Sequence, residues 1–264
     1  MNIGLTEARH IVNMDVYWLE QTESDVPPGN EWLSGNEDIL LAGLHVAKRR
    51  ADWRLGRWTA KCAVAAYLKL RVPPAGMAEI EISARPSGAP HVMLATAAAP
   101  AEISLSHRGG VAMCAVTGPD AAIGCDLEIV ETHSPAFIRD YFTDEEQMEI
   151  ALASACHQQS LVAALWSAKE SALKALQEGL RLDTRSVSVR LRVWADEVDR
   201  WYPLQVHCEH GEAFHGWWQR AGNVVRTMVA RPQPAMPILL PKLSFATSPR
   251  LPGTPSTFAR PSSR

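Results

Sequence analysis

The chain has no apolar run that approaches the roughly 20 residues a membrane-spanning helix needs. It also lacks an excess of basic residues, because 26 Lys and Arg stand against 29 Asp and Glu, a formal net charge of −3. This balance argues against a protein whose main role is to bind nucleic acid, although local basic clusters could still bind small anionic ligands. The first residues show no basic stretch followed by an apolar one, so we expect no signal peptide.

Cysteine is scarce and scattered along the chain. The five cysteines form no CxxC pair and are odd in number. This pattern argues against a disulfide framework and against a zinc site. We therefore expect reduced thiols in a soluble cytoplasmic protein.

The two ends of the chain differ in composition from its middle. Residues 231–264 are crowded with Pro, Ser and Arg, and proline at that density supports neither a helix nor a sheet ladder. We predict a mostly disordered tail there and a loose N-terminus over residues 1–12. The folded part is then expected to span 13–230.

One internal similarity organises the folded part. WTAKCAVAAYL at 58–68 parallels WSAKESALKAL at 166–176, and LSGNEDILLAGL at 33–44 parallels FTDEEQMEIALA at 142–153. Both pairs share an offset of 108–109 residues. One pair alone can arise by chance, but two pairs in register favour a duplicated unit.

Each copy of this unit has a helix start followed by strand patterns. Ser34 and Thr143 are predicted N-caps, and Glu37 and Glu146 follow three residues later in the capping-box pattern. Helices followed by antiparallel strands indicate an α+β fold. Strands are predicted at 14–21, 78–85, 101–107, 110–118, 121–131, 186–194, 203–210, 212–220 and 223–231.

Two carboxylates alternate in the strand AAIGCDLEIVE at 121–131. Asp126 and Glu128 fall on one face, about 6.6–7 Å apart along the strand. Two acids that close ionise together most easily around a cation, and a hard ion such as Mg2+ takes one or two protein carboxylates plus substrate phosphates. The alternative is an edge strand with two solvated acids.

The helix LWSAKESALKAL at 165–176 carries a further acid between cations. Glu170 and Lys174 form an i,i+4 pair in the favourable order, and on a solvated face such a pair contributes little. Trp166 lies one turn before Glu170 and gives that face apolar cover. The helix sequence alone is compatible both with a structural ion pair and with a chemical role for Glu170.

Two upstream segments suggest a phosphate-rich ligand. Arg50, Arg54, Arg57 and Lys61 recur on one helical face with no interleaved acid, so they either are solvated or repel one another until an anion binds. In SLSHRGG at 104–110, a strand ends before a Gly-Gly turn. Its histidine is either a polar turn residue or a phosphate donor.

Together these segments resemble the 4′-phosphopantetheinyl transferases, in their surfactin-type, two-lobed branch. The resemblance spans about residues 14–230, in the family's order and approximate spacing. It implies two similar α+β lobes related by a pseudo-twofold axis, 13–119 gripping the coenzyme A nucleotide and 120–230 holding Mg2+ and the catalytic carboxylates. The matching segments are RRADWRLGRWTAKCAV, SLSHRGGVAMCAV, IGCDLEIVE, FTDEEQ and LWSAKESALKAL.

The resemblance also implies a reaction. The family transfers the phosphopantetheine arm of coenzyme A, its co-substrate, to a serine of an apo acyl, peptidyl or aryl carrier protein and releases adenosine 3′,5′-bisphosphate. Such enzymes use Mg2+ and activate fatty acid, polyketide or nonribosomal peptide synthases. A cytoplasmic monomer that binds neither nucleic acid nor membrane is the matching expectation.

Residue by residue, the resemblance assigns roles within the second lobe. Asp126, Glu128 and Glu170 correspond to the three Mg2+-binding carboxylates. Glu170 also corresponds to the residue that accepts the serine proton. Lys169 and Lys174 correspond to catalytic lysines that bind the pyrophosphate and face its developing charge.

In the first lobe the resemblance assigns coenzyme A contacts. Ser106 and His107 correspond to residues that hold its phosphates. The basic helix is expected to grip the nucleotide end and its 3′-phosphate through Arg50, Arg57 and Lys61, with Arg54 as a further member.

Two alternatives remain at this point. A Mg2+-dependent nuclease or phosphoesterase also combines such acids with a lysine, but the chain is net acidic and Lys169 precedes its glutamate on a helix. A catalytically inactive coenzyme A-binding or carrier-docking protein is the second alternative. The presence of all three carboxylates argues against lost catalysis.

Overall fold

The computed structural model describes residues 14–95, 97–177, 182–192, 199–209 and 211–243. It contains helices and several largely antiparallel sheets, so the predicted α+β class is confirmed. The loose N-terminus predicted for residues 1–12 lies outside the described residues. Within the described ranges, no helix is both long enough and apolar enough to cross a bilayer.

The helices and strands follow in chain order. The helices are α1 (Gly35–Ala42), α2 (Ala47–Tyr67), α3 (Pro135–Tyr141), α4 (Asp144–Leu152) and α5 (Ala155–Ala175). The first seven strands are β1 (Tyr17–Thr22), β2 (Ile80–Ala84), β3 (Pro90–Leu94), β4 (Ala97–Ala98), β5 (Glu102–Arg108), β6 (Val111–Thr117) and β7 (Ala122–Ile129). The remaining strands are β8 (Val187–Leu191), β9 (Tyr202–Cys208), β10 (Ala213–Ala221), β11 (Val224–Arg231) and β12 (Ile238–Leu239).

The strands form three sheets. The first has the order β12-β1-β6-β5, the second β7-β11-β10-β9-β8, and the third β2-β3-β4. Helix α2 packs on the first sheet and α5 on the second. A shared apolar cluster that includes Trp18, Met113, Ile123 and Met228 lies between the two larger sheets.

Two serines on β5 join the first sheet to the edge of the second. The Ser104 hydroxyl accepts a hydrogen bond from the Cys125 amide at 2.9 Å. Two residues later, the Ser106 hydroxyl accepts from the Leu127 amide at 3.2 Å. These side chains satisfy β7 amides that no neighbouring strand satisfies on that edge, so β7 lies at the seam between the sheets.

Helix α5 lies unusually close to β7. A Cβ atom at Gly124 would overlap the Ser171 carbonyl oxygen, so only glycine permits this approach. The hydroxyls of Ser171 and Ser167 bond the Thr227 hydroxyl at 2.7 and 2.9 Å. The polar side chains of α5 are thereby held against the strand that carries the paired acids.

The predicted capping boxes form at both helix starts. Ser34 caps α1 and its side chain accepts from the Glu37 amide, while Thr143 caps α4 and accepts from the Glu146 amide. Both glutamates are buried, and each also accepts a hydrogen bond from the backbone amide of a strand. Ile82 donates to Glu37, and Val189 donates to Glu146 at 2.8 Å.

A buried lysine completes each of these arrangements. Lys61 pairs with Glu37 at 2.5 Å, and Lys169 pairs with Glu146 at 2.8 Å. Both lysines also donate to two backbone carbonyls. The correspondence supports the duplicated unit predicted from the sequence.

The C-terminal segment differs from the prediction. Disorder from residue 231 onward is wrong for 231–243, because this stretch runs along β1. Ile238 donates to the Val16 carbonyl at 2.9 Å and Leu240 donates to the Trp18 carbonyl at 2.7 Å. Pro237 and Pro241 stand directly before and after this pair of donors, at positions where an edge strand needs no amide. The rest of the predicted tail, 244–264, lies outside the described residues.

Candidate active site

The candidate site lies where β7 faces α5. Asp126 and Glu128 point from alternate positions of β7 toward the helix. Trp166, Glu170 and Lys174 follow one another at four-residue spacing on α5, which places them on one face. The D-x-E strand and this helix pack against each other, as predicted.

Asp126 is the most buried acid of the site, with 4 % of its surface exposed. Its Oδ1 accepts from the Lys174 ammonium at 2.7 Å and from the Ser106 hydroxyl at 2.8 Å. Its Oδ2 is buried and has no hydrogen-bond partner among the described residues. Burial alone would lower the pKa of Lys174, but the charge and hydrogen bond of Asp126, together with Cys125 and Glu170, outweigh it and the pKa of Lys174 is raised.

The pKa values of the other two carboxylates, Glu128 and Glu170, are raised in this arrangement. Burial, followed by the charge of Asp126, raises the pKa of Glu128 to about 7, against the opposing effects of Arg108 and Trp166. The same two causes raise the pKa of Glu170, which Lys174 opposes. The site therefore favours an added positive charge.

The donor set fits a hard cation. Asp126 Oδ2 and Glu170 Oε1 are both buried, and neither has a hydrogen-bond partner in the part of the chain that the structure describes. Unpartnered carboxylate oxygens of this kind are what Mg2+ prefers. Within the ranges that the structure describes, no three Asp, Glu, His or Cys side chains already stand close enough to hold a metal ion. A bound ion would have to draw the carboxylates together.

Lys169 does not belong to this site, contrary to the sequence-based expectation. Its side chain is fully buried, and its ammonium contacts Glu146 and the carbonyls of Thr184 and Val187. Adjacent helix residues point about 100° apart, so Lys169 faces the core while Glu170 faces β7. It can neither bind the pyrophosphate nor take up charge on it.

Three of the four cations predicted to grip a nucleotide bind the chain itself instead. Lys61 is fully buried against Glu37, with its other two contacts on carbonyls. Arg50 donates to the carbonyls of Leu41 and Leu44 at 2.5 and 3.0 Å, which satisfies the C-terminal end of α1.

Arg54 is occupied in the same way. It donates to the carbonyls of Pro27 and Gly29 at 2.5 and 2.9 Å and contacts the side chain of Asn30. Its guanidinium also lies 5.4 Å from the centre of the Trp32 ring. The uniform basic face read from the sequence is therefore wrong for these three residues, because spacing does not reveal what a helix face packs against.

Arg57 is the exception and lies in a cleft. This cleft has a volume of about 410 Å³, and Trp53, Arg57, His107, Lys174 and Gln177 are among its lining residues. Arg57 stacks on Trp53 at 4.9 Å, and no described residue accepts a hydrogen bond from its buried Nε. Burial lowers the pKa of Arg57 against the opposing charge of Glu37. The tryptophan four residues earlier was a usable sequence signal that the reading of charges missed.

Ser106 and His107 point to opposite sides of β5. His107 is exposed and lines the cleft, and desolvation lowers its pKa. Ser106 is buried and bonds Asp126. The prediction that both hold a phosphate fails for Ser106, since successive strand residues alternate between faces.

A comparison with protein families finds a match in the part of the chain that carries the acidic site. Residues 122–219 match the family model of the 4′-phosphopantetheinyl transferase superfamily. No curated protein was found to match the chain. The matched range contains Asp126, Glu128, Glu170 and Lys174, whereas Arg57 precedes it.

Proposed function

We propose that this protein transfers the phosphopantetheine arm of coenzyme A to a serine of an apo carrier protein, in a Mg2+-dependent reaction. The observation that carries the proposal is the position of Lys174. Its ammonium bonds Asp126, and the same residue lines the cleft that holds Arg57 and His107. One side chain thus joins the acidic site to a ligand-sized cleft that Arg57 also lines, which suits a substrate whose pyrophosphate must be cleaved.

The cleft offers contacts for the coenzyme A end of the reaction. The buried, unpartnered Nε of Arg57 gives a phosphate one strong donor. His107 sits on the same cleft at the end of β5. We assign these two residues to the nucleotide phosphates, in place of the larger basic set expected from the sequence.

The carboxylates supply the reacting end. Asp126, Glu128 and Glu170 would hold Mg2+, which when bound neutralises charge on the pyrophosphate oxygens. Glu170, whose pKa is raised by burial and by Asp126, accepts the proton of the carrier serine. A carboxylate with a raised pKa is a better base near neutral pH.

The proposed reaction forms one bond and breaks another. The serine oxygen forms a bond to the β-phosphorus of coenzyme A, and the bond from that phosphorus to the bridging oxygen breaks. Adenosine 3′,5′-bisphosphate leaves with the electron pair. Lys174 is the cation placed to take up negative charge on the phosphates, since it is held charged between Asp126 and Glu170.

The finer assignment is to the two-lobed, surfactin-type branch. The repeated set of capping-box glutamate and buried lysine supports a duplication, with lobes at 13–119 and 120–230. We extend to this protein the branch's monomeric state, cytoplasmic location and acceptors in fatty acid, polyketide or nonribosomal peptide synthesis.

The test is incubation of the full chain with coenzyme A, Mg2+ and a panel of apo acyl, peptidyl and aryl carrier proteins. Mass spectrometry of the intact carrier should show the gain of one phosphopantetheine on its serine, with adenosine 3′,5′-bisphosphate in the supernatant. Glu170→Gln is the matched inactive control. Release of free phosphopantetheine without any carrier adduct, or no adduct on any carrier, would contradict the proposal.

A further inference from the structure

We propose that Ser106 is a positioning residue that sets the orientation of the Asp126 carboxylate, so that the first sheet completes a metal site otherwise built by the second. The inference rests on the proposed function for the role of the metal. Ser106 lies outside the range 122–219 that matches the family model. Its hydroxyl nevertheless hydrogen-bonds a candidate metal ligand from the first sheet, where Arg108 on the same strand also approaches Glu128 at 3.6 Å.

The direction of both Ser106 hydrogen bonds is fixed by chemistry. The Leu127 amide can only donate, so in the 3.2 Å bond the hydroxyl oxygen is the acceptor. The hydroxyl has one proton, and that proton is then free to be donated to Asp126 Oδ1 at 2.8 Å. Ser106 therefore connects a β7 amide to a β7 carboxylate one residue away.

The two oxygens of Asp126 are left in different states. Oδ1 receives two donors, Ser106 at 2.8 Å and Lys174 at 2.7 Å, while buried Oδ2 receives none. Two donors from different elements resist rotation of the carboxylate about its last bond. Oδ2 is thus held as the free oxygen of Asp126, available to a cation.

Losing the hydroxyl would change this arrangement in a defined way. Lys174, whose ammonium also bonds the Cys125 carbonyl at 3.0 Å, would remain as a single donor, and the carboxylate could turn to give it either oxygen. Partners behind a metal ligand generally affect metal affinity by about 10- to 100-fold. The geometry thus makes Mg2+ affinity, rather than coenzyme A affinity, the quantity that Ser106 controls.

Ser104 provides a matched control on the same strand. It lies two residues earlier, faces the same way, and accepts from the Cys125 amide at 2.9 Å. No hydrogen bond joins its hydroxyl to a carboxylate in the described residues. Replacing either serine weakens the seam between the sheets, but only Ser106 touches Asp126.

The experiment measures metal binding directly. Mn2+, used as an analogue of Mg2+, is titrated into the full-length protein without coenzyme A, and free Mn2+ is followed by electron paramagnetic resonance. Coenzyme A binding is measured separately in the presence of a chelator. The variants are Ser106→Ala and Ser104→Ala, together with Ser106→Thr and Ser106→Val, which share one shape and differ in the hydroxyl.

Ser106→Ala should weaken Mn2+ binding by about tenfold or more, with coenzyme A affinity and the Mn2+ affinity of Ser104→Ala each within about twofold of wild type. Should Ser106→Ala fail to fold, the comparison of Ser106→Thr with Ser106→Val gives the same contrast, with only threonine retaining Mn2+ affinity. Unchanged Mn2+ affinity, equal losses in both alanine variants, no Mn2+ binding by wild type, or a loss confined to coenzyme A would each overturn the inference. Ser106-dependent Mn2+ binding in a protein that modifies no carrier would instead refute the proposed function alone.

Discussion

Replacing Lys169 with methionine should destabilise the fold rather than remove a catalytic cation. The ammonium of Lys169 bonds Glu146 at 2.8 Å and the Thr184 carbonyl at 2.8 Å, and the residue is 0 % exposed. Methionine leaves the Glu146 carboxylate, itself 2 % exposed, without its cation. Breaking a buried pair from one side costs about 3–5 kcal/mol, a large part of the 5–15 kcal/mol that holds a typical domain folded.

Removing both charges should restore part of this loss. In Glu146→Gln/Lys169→Met no buried charge remains, and hydrophobic or neutral replacements of whole pairs are often tolerated. The recovery is incomplete because Glu146 also accepts the amides of Thr143 and Val189, at 2.9 and 2.8 Å. A glutamine has one acceptor oxygen for these two donors, and one unsatisfied amide costs about 1–3 kcal/mol.

Urea unfolding followed by tryptophan fluorescence measures these free energies. Lys61→Met is the matched variant in the other copy, and it should lose a comparable amount because Lys61 makes the same set of contacts. Carrier modification is assayed at a temperature where each variant remains folded, and Lys169→Met should retain a substantial fraction of wild-type turnover. A loss of less than about 1 kcal/mol together with abolished transfer would refute the reasoning and return Lys169 to the active site.

Three further predictions concern the cleft, the acidic site and the C-terminal segment. Arg57→Ala should raise the KM for coenzyme A by about tenfold or more with a smaller change in kcat, because one charged hydrogen bond to the substrate is lost. Arg54→Ala should lower the stability of the fold instead. Equal increases in KM from both variants would contradict the assignment. The pKa of Glu128 is raised from 4.5 to about 7 in the folded protein, so the folded state binds the proton more tightly than the unfolded state does. With a chelator present, the free energy of unfolding should therefore fall by at most about 3 kcal/mol as pH rises from about 4.5 to about 7. Calorimetry checks this by comparing wild type with Glu128→Gln, which should lack this part of the pH dependence. Leu240→Ala should lower the free energy of unfolding in urea by about 2–3 kcal/mol because Leu240 is only 7 % exposed. Leu239, which is 60 % exposed, should tolerate alanine. Similar losses of stability at both positions would argue against the packing along β1.

The acidic site was largely predictable because its signals are local. Alternation on a strand places Asp126 and Glu128 on one face, and four-residue spacing places Glu170 beside Lys174. What brings strand and helix together is not local. It depends on Gly124, where any side chain would overlap the backbone of α5.

The errors among the cations share one physical cause. Helical spacing shows which residues share a face, but not whether that face meets solvent, a ligand or the chain itself. The internal sequence similarity carries a further signal. Lys61 and Lys169 occupy equivalent positions in both copies and both turn out structural, whereas Glu170 aligns with buried Cys62 and is present in one copy only.

The tail and the serine were misassigned for different reasons. Proline density marks a chain that cannot enter the middle of a sheet, yet an edge strand needs donors only at alternate residues, which Ile238 and Leu240 supply. Ser106 was grouped with His107 because they are adjacent. On a strand that adjacency separates them, one to the carboxylate and the other to the cleft.

The central claim is that the carboxylates around Asp126 bind a cation and drive phosphopantetheine transfer. The most direct measurement compares wild type, Asp126→Asn and Glu170→Gln for the rate of mass gain on one apo carrier, with Mg2+ and with a chelator. We expect an adduct only from wild type with Mg2+, and a loss in Glu170→Gln of at least the roughly 10²–10⁴-fold that general-base catalysis supplies. Transfer that persists in the chelator, or near-normal turnover in Glu170→Gln, would contradict it.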